Sequence, residues 1–334
     1  MPAAMQNIAY VLAVLLMGTV TLGMVAWMAG AIYFDVGRGA RWSWLPTAAW
    51  CLFMAILFAI WRPLWCPYAV LLAATLVFLG WWLSLKPSHD RQWDASVAVL
   101  PRAVRRGDVV TIENVRNNDY RSYDDFTTRY ETRSYQLANL KAADIIFFYW
   151  GSPWMSHPVL VFDFGPDGRI CMSIEVRFQK GQRYAVLRSL YRQQELIYLA
   201  VDERDAVLRR TKHGCIDGYL YRLNEDADRL RTAFLDYVAA INDLYDNPRW
   251  YHALCANCTT SFYRLPNSQR RCDWRVIFNG RLDRALYEAG RLDRSLPFEE
   301  LRRISYINDI AETAPEKGFG DHLRSEIERL RYGR

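Results

Sequence analysis

Pro158 to Val176 reads P-V-L-V-F-D-F-G-P-D-G-R-I-C-M-S-I-E-V, and this stretch decides the fold of the chain's larger part. Two arms rich in β-branched and aromatic residues, Pro158 to Phe164 and Ile170 to Val176, flank Gly165-Pro166-Asp167-Gly168. The Asp-Gly pair supplies the positive φ that a tight turn needs, so the spacing predicts an antiparallel hairpin. On the second arm Cys171, Ser173 and Glu175 alternate with Met172, Ile174 and Val176, which sends the two sets to opposite faces of a strand. His157 heads the first arm.

Working outward, Asp144 to Trp150 (D-I-I-F-F-Y-W) has the length and content of a buried strand, and Gly151-Ser152-Pro153 makes the loop into the hairpin. Upstream, Asp108 to Val115 alternates as a strand does, Asn114 to Tyr120 is turn-rich, Arg129 to Tyr135 reads as a short strand, and Trp93 to Val104 as an amphipathic connector. Downstream, Gln194 to Val201 and Tyr219 to Leu223 read as strands with the charged Asp202 to Asp205 between them. Ala227 to Tyr245 is the clearest helix, with Leu230, Phe234, Val238, Ile241 and Tyr245 at helical spacing, and Asn247-Pro248 ends it. From Asn279 onward the chain is charged and helical. Its two R-L-D-R copies, at 281–284 and 291–294, are too few for a repeat architecture. Residues 89–334 are therefore expected to fold as an α+β domain, an antiparallel sheet packed on helices.

Residues 1–88 differ in composition. Up to residue 85 the charged side chains are Asp35, Arg38, Arg41 and Arg62 alone, and nearly all remaining charge follows. Ile8 to Phe34 is an unbroken apolar run, longer than the roughly 20 residues a bilayer core requires and too long for a cleaved signal peptide. Trp44 to Trp61 and Trp65 to Leu85 make two more spans, separated by Arg62-Pro63, with Trp81 and Trp82 suited to a membrane interface. The expectation is a multi-pass, three-helix transmembrane region (about 8–34, 44–61 and 65–85). Loop charges leave its orientation open: Arg38, Arg41, Lys86, Arg91 and Arg102 favour a cytoplasmic soluble domain. Cys51 and Cys66 read as small apolar fillers. The net charge of +6 sits mostly on scattered arginine pairs such as Arg105-Arg106 and Arg209-Arg210. With no basic block, this reads as a solvated face near anionic lipid and excludes a nucleic-acid arm.

The chemistry converges on Trp250 to Pro266, W-Y-H-A-L-C-A-N-C-T-T-S-F-Y-R-L-P. Asn257 before Cys258, and Thr259 and Thr260 after it, are helix-start signals. Phe262 and Leu265 sit three apart before Pro266 stops the run. A thiol at a helix N-terminus is biased toward thiolate, which makes Cys258 the candidate nucleophile. His157 is the candidate base, with Glu175 on the neighbouring arm to orient its ring; a histidine beside a strand can equally be structural. Asn257, Thr259, Tyr149 and Trp150 are the candidate substrate and oxyanion residues. Two rival readings use the same cysteines: a zinc site from His252, Cys255, Cys258 and Cys272, and a redox C-x-x-C pairing Cys255 with Cys258, which would mask the nucleophile. The zinc reading lacks paired short spacings and glycine turns, and the redox reading lacks a thioredoxin-like lead strand. Cys171, Cys215 and Cys272 read as buried thiols or disulfide partners. No phosphate-binding glycine loop is present, and no metal or other cofactor is expected.

The ordered set N-V-R-N (114–117), Y-W-G with S-H-P around His157, S-I-E-V-R (173–177), E-L-I-Y-L-A-V-D-E-R-D (195–205) and P-R-W-Y with N-C-T-T (248–260) resembles the Lnb N-terminal periplasmic domain family. The resemblance covers about two thirds of the chain. Lnb resembles a membrane-bound lipoprotein N-acyltransferase, and the family is similar to circularly permuted papain-like thiol enzymes of the NlpC type, in which the histidine strand precedes the cysteine helix. The order His157, Glu175, Cys258 agrees with that pattern, while Cys255 departs from it. The resemblance implies a periplasmic domain on the bacterial inner membrane. It also implies an acyltransferase working through an acyl-thioester, with phospholipid as donor and a lipoprotein or another envelope substrate as acceptor. A thiol hydrolase (amidase, peptidase or lipase) of the envelope is the second expectation. A tethered, non-catalytic binding domain is the third.

Overall fold

The computed structural model describes residues 3–38, 40–150, 152, 154–257 and 279–333. The chain divides into two compact units, Met1–Ser88 with Tyr184–Gln194, and His89–Arg183 with Glu195–Arg334. Segment 184–194, expected within the larger domain, thus groups with the N-terminal helices.

Among the described residues the first unit has three α-helices, α1 (Ala3–Ala31), continued by a π-helical turn (Ile32–Val36), α2 (Trp44–Ile60) and α3 (Trp65–Ser84). These bounds track the apolar runs closely. Two of them, over Asn7–Val36 and Trp65–Ser84, are long and apolar enough to cross a membrane, whereas α2 is a shorter apolar helix. Met54, Leu57 and Leu71 form their shared buried cluster, packed by Met24, Val25, Trp50 and Phe58. Trp50 Nε1 donates to the Val25 carbonyl at 3.2 Å, tying α2 to α1.

The second unit is mixed α+β. Its strands are β1 (Arg102–Arg106), β2 (Val109–Arg116), β3 (Asp119–Tyr120), β4 (Phe126–Thr127), β5 (Tyr130–Gln136), β6 (Ala142–Tyr149), β7 (Ser156–Asp163), β8 (Arg169–Arg177), β9 (Glu195–Val201) and β10 (Asp217–Arg222). Among the described residues the main sheet runs β1-β2-β9-β8-β7-β6-β10, with β5 also on β2 and β3-β4 apart. Pairing is antiparallel except for β2 with β9, which meet in parallel at Arg116 and Val201. The hairpin predicted at 158–176 is β7-β8, and Gly168 adopts φ +87° in its turn.

Among the described residues the helices are α4 (Glu203–Leu208), α5 (Ala227–Asp246), α6 (Leu282–Glu288), α7 (Phe298–Ile304), α8 (Asn308–Thr313) and α9 (Phe319–Tyr332). The charged stretch expected to be a link between strands is in fact α4, capped by Asp202, whose carboxylate accepts from the Arg204 amide. In α5 the buried stripe is Leu230, Phe234, Tyr237, Val238, Ile241 and Leu244. Tyr245, expected in that stripe, is 37% exposed, because the helical period brings Leu244 inward instead. The connector after Trp93 holds a 3₁₀ turn (Ala95–Val97) and then β1.

Alternation divides the core between the sheet's faces. One carries Ile146, Phe148, Val159, Val161, Cys171, Ile197 and Leu199 against α4, α8 and α9. The other carries Ile145, Phe147, Tyr149 and Tyr221 against α6 and α7, and Phe162 edge-on to Phe234 of α5 at 5.3 Å.

Two of the sequence motifs meet in this core. Arg116, from N-V-R-N, lies in a buried bidentate pair with Asp205, from D-E-R-D, at 2.9 and 3.1 Å. The Asn118 amide and Tyr120 hydroxyl complete the Asp205 carboxylate, and Arg116 Nη1 donates to the Ser96 carbonyl at 2.7 Å. A buried charge pair costs desolvation on both sides, so these extra hydrogen bonds are what make it tolerable.

Candidate functional site

His157 stands at the start of β7, register partner of Phe148 on β6, and Val159 partners Ser173 on β8. Register neighbours point to the same face, so His157, Ser173 and Glu175 share the face that α4 covers. There His157 Nε2 lies 2.8 Å from Ser173 Oγ, and Ser173 Oγ lies 2.7 Å from Glu175 Oε1. The direct separation of His157 Nε2 from Glu175 Oε1 is 3.6 Å. The hydroxyl therefore sits between base and carboxylate. His157 and Glu175 side chains are 13% and 15% exposed, enough to be reached and little enough to be held.

Arg210 closes the row. It follows α4, donates Nη1 to the Ala206 carbonyl at 2.8 Å, lies 5.0 Å over the Phe148 ring, and pairs through Nη2 with Glu175 Oε1. Burial pushes the Glu175 carboxyl upward, but Arg210 first and His157 next outweigh it and hold it well below the usual carboxylate range. Glu175 is thus ionised and accepts only.

That fixes the proton arrangement. Ser173 must donate its one hydroxyl proton to Glu175, so toward the ring it can only accept. When the ring is neutral, its one proton is therefore on Nε2 and Nδ1 is the basic nitrogen. The Tyr237 hydroxyl donates to the Ser173 carbonyl at 2.6 Å, holding this part of β8 from the other face.

Of the other candidates, Trp150 is brought to His157, its ring centroid 6.4 Å away at 62°. Tyr149 is not. One residue along β6 reverses the side-chain direction, and Tyr149 sits in the opposite cluster, edge-on to Tyr219 at 5.5 Å and beneath Arg302 at 4.9 Å. Asn257 is buried, with Nδ2 donating to the Ala253 carbonyl at 2.5 Å. Cys258, Thr259 and Cys272, with the helix expected to begin at Cys258, lie outside the described residues.

The described chain on either side of 258–278 is at one end of the sheet. Trp250 bridges to Glu195 at the start of β9, and the Gly280 amide donates to the Trp154 carbonyl at 3.0 Å. His157 heads β7 three residues after Trp154, and Arg177, register partner of Glu195, ends β8 two residues after Glu175.

His252 does not stand open as the zinc reading would want: its Nδ1 accepts from the Leu254 and Cys255 amides at 3.2 and 3.3 Å, and burial lowers its pKa. Among the described residues no group of three or more His, Cys, Asp and Glu side chains is arranged to hold a metal. Cys255 and Cys215 are exposed free thiols, and Cys171 is a buried one whose pKa burial pushes well up. Cys215, expected to be a buried thiol or a disulfide partner, is a free thiol, exposed where the chain takes a positive φ of 51° before β10.

Ser173 and Arg210 were not singled out by sequence. Ser173 was legible as a face-mate of Glu175. Arg210 was only one of a scattered arginine pair, and nothing in its spacing announced a partner 35 positions earlier.

The class defined so far is an α+β domain with a histidine–serine–glutamate row on its sheet, preceded by apolar helices. Residues 126–277 match the family model of the Lnb N-terminal periplasmic domain. The matched stretch contains His157, Ser173, Glu175, Arg210 and Cys258. No curated protein and no solved structure matches the chain.

Proposed function

We propose that the protein is a membrane-anchored, cysteine-dependent acyltransferase of the bacterial envelope, with its soluble domain in the periplasm. The observation that carries this reading is the His157–Ser173–Glu175–Arg210 row. It supplies a histidine oriented through Nε2 and an ionised group behind it to stabilise the imidazolium. The matched domain supports the compartment. The exposed apolar surfaces of α1, α2 and α3, including Leu12, Leu16, Leu52, Leu72 and Leu76, support three spans in the inner membrane. A permuted papain-like arrangement, with the histidine strand before the cysteine helix, is the fold reading that goes with it.

In the reaction, His157 Nδ1 takes the Cys258 thiol proton. The thiolate attacks an ester carbonyl of a phospholipid, and amides beside Cys258, with Asn257 and Thr259 as further donors, stabilise the oxyanion. As the intermediate collapses, the C–S bond is kept, the ester C–O bond breaks, and the lysophospholipid alkoxide takes the proton from His157. An amine, such as the N-terminus of a diacylated lipoprotein, then attacks the thioester. The C–N bond forms, the C–S bond breaks, and the amine proton passes through His157 to the departing thiolate.

The test uses the full chain in vesicles with a fluorescent-acyl phospholipid. Wild type should form a labelled thioester that a lipopeptide amine discharges as an amide. C258A and H157A should form none. Labelling that persists in C258A defeats the proposal, and discharge to free fatty acid alone, with the amine present, makes the protein a hydrolase.

A further inference from the structure

Segment 184–194 leaves the chain between β8 and β9, yet it is built into the helical unit. Tyr191 stacks on Phe34 with ring centroids 5.1 Å apart. Its hydroxyl fills the space over Gly30, where an added Cβ would lie 1.8 Å from that oxygen. Gln193 Nε2 donates to Asp35 Oδ1 at 2.9 Å, while Trp82 Nε1 donates to Oδ2 at 2.7 Å. Arg192 lies 4.3 Å over the Trp82 ring and donates Nη1 to the Leu83 and Leu85 carbonyls at 3.0 and 2.5 Å.

These contacts fasten the segment to the C-terminal ends of α1 and α3. The ends share one level, since Trp82 reaches Asp35. Tryptophan at the end of an apolar helix belongs to the headgroup level of a bilayer, and arginine there keeps its charge toward the phosphates. A few residues before these ties the segment bares Val186 (48% exposed) and Leu187 (66% exposed), with Arg188 beside them. Val36, next to the fastening residue Asp35 at the end of the first helix, is likewise an exposed apolar side chain, at 46%.

We propose that residues 184–194 form a membrane-interface clasp, which seats Val186 and Leu187 at the boundary between headgroups and acyl chains of a phospholipid bilayer. Asp35 is its fastening point. The clasp requires α1 and α3 to lie in a bilayer but does not require thiol chemistry. Its occupant is bilayer lipid rather than a partner protein, because the ties all run to helix ends whose own outward surface is apolar. A short apolar loop adds modest affinity and fixes depth, which is what a segment already tethered by helices can use.

The test places the photo-crosslinker p-benzoylphenylalanine at Leu187 in the full chain, in phosphatidylethanolamine–phosphatidylglycerol vesicles. The same crosslinker at Leu76 of α3 reports whether the helix is in lipid, and at Leu330 of α9 it reports background. Lipid adducts at 187 should exceed those at 330 by about tenfold, in keeping with burial at the acyl boundary. Asp35→Ala should lower the yield at 187 severalfold while leaving that at 76 unchanged. Adducts at 76 with none above background at 187 overturn the clasp, as does crosslinking of 187 to protein alone. An Asp35→Ala yield equal to wild type overturns the fastening. Absence of adducts at 76 overturns the membrane reading, and with it both the clasp and the membrane anchor of the proposed acyltransferase, while the thiol chemistry is decided separately by C258A.

Discussion

Ser173 Oγ lies 2.8 Å from His157 Nε2 and donates its own proton away from the ring, to Glu175. The consequence is that one hydroxyl sets which histidine nitrogen is basic. In Ser173→Ala the ring loses that acceptor, and the tautomer that leaves Nδ1 basic loses its advantage. The rate of thioester formation should fall about 100-fold, a loss within the general acid–base range. Nitrogen-15 NMR of labelled His157 should show Nε2–H in wild type and a tautomer mixture in the variant. An unmixed Nδ1–H signal in wild type would contradict the assignment.

Arg210 keeps Glu175 charged. Arg210→Gln leaves a buried carboxylate without its main partner and should destabilise the domain by about 3–5 kcal/mol. The sign with pH follows from the direction of the shift. Glu175 is depressed below its ordinary 4.5, so its contribution is present above that value and lost as pH falls through the folded-state pKa. Wild type should lose stability on acidification below about pH 4.5, and Arg210→Gln should show a shallower loss over that window. Thermal unfolding at a series of pH values reads both slopes; parallel slopes would remove Arg210 from this role.

The Arg116–Asp205 pair carries no chemistry in this account, only structure. Asp205→Asn removes the charge facing a fully buried guanidinium and should cost about 3–5 kcal/mol. Folded protein recovered at low temperature should retain the wild-type thioester rate per molecule. A large rate loss with unchanged melting temperature would place this pair in the site instead.

Phe234 of α5 sits among Tyr135, Phe162 and Phe164, with ring centroids 4.8 to 6.5 Å away. Phe234→Ala should destabilise by about 3–5 kcal/mol through lost burial and the cavity left behind. Denaturant unfolding of the reconstituted chain checks it, and a change under about 1 kcal/mol would mean that α5 repacks freely.

Much of the domain was legible in the sequence because its signals are local. The hairpin turn, the alternating arms of β7 and β8, and the 20-residue stripe of α5 each declare themselves within a few residues. The alternation even placed Ser173 and Glu175 on one face. What stayed hidden depends on pairing at a distance. Asp202 to Asp205 reads as a charged stretch between strands, and its helix becomes evident only once Ala206 and Val207 find the sheet. Tyr149 and Trp150 are adjacent in sequence and end on different business, since one residue of a strand reverses the face. Likewise nothing local in 184–194 points to the N-terminal helices, and only its partners Phe34, Asp35 and Trp82 join it to them.

The central claim is that Cys258 carries an acyl group. Intact-protein and peptide mass spectrometry of the full chain, incubated with a phospholipid of one defined acyl chain, measures it directly. One added acyl mass is expected on the peptide holding Cys258, removed by hydroxylamine and absent in His157→Ala. An unmodified Cys258 under conditions where the wild-type chain consumes phospholipid, or an acyl mass found on the exposed Cys255 instead, would contradict it.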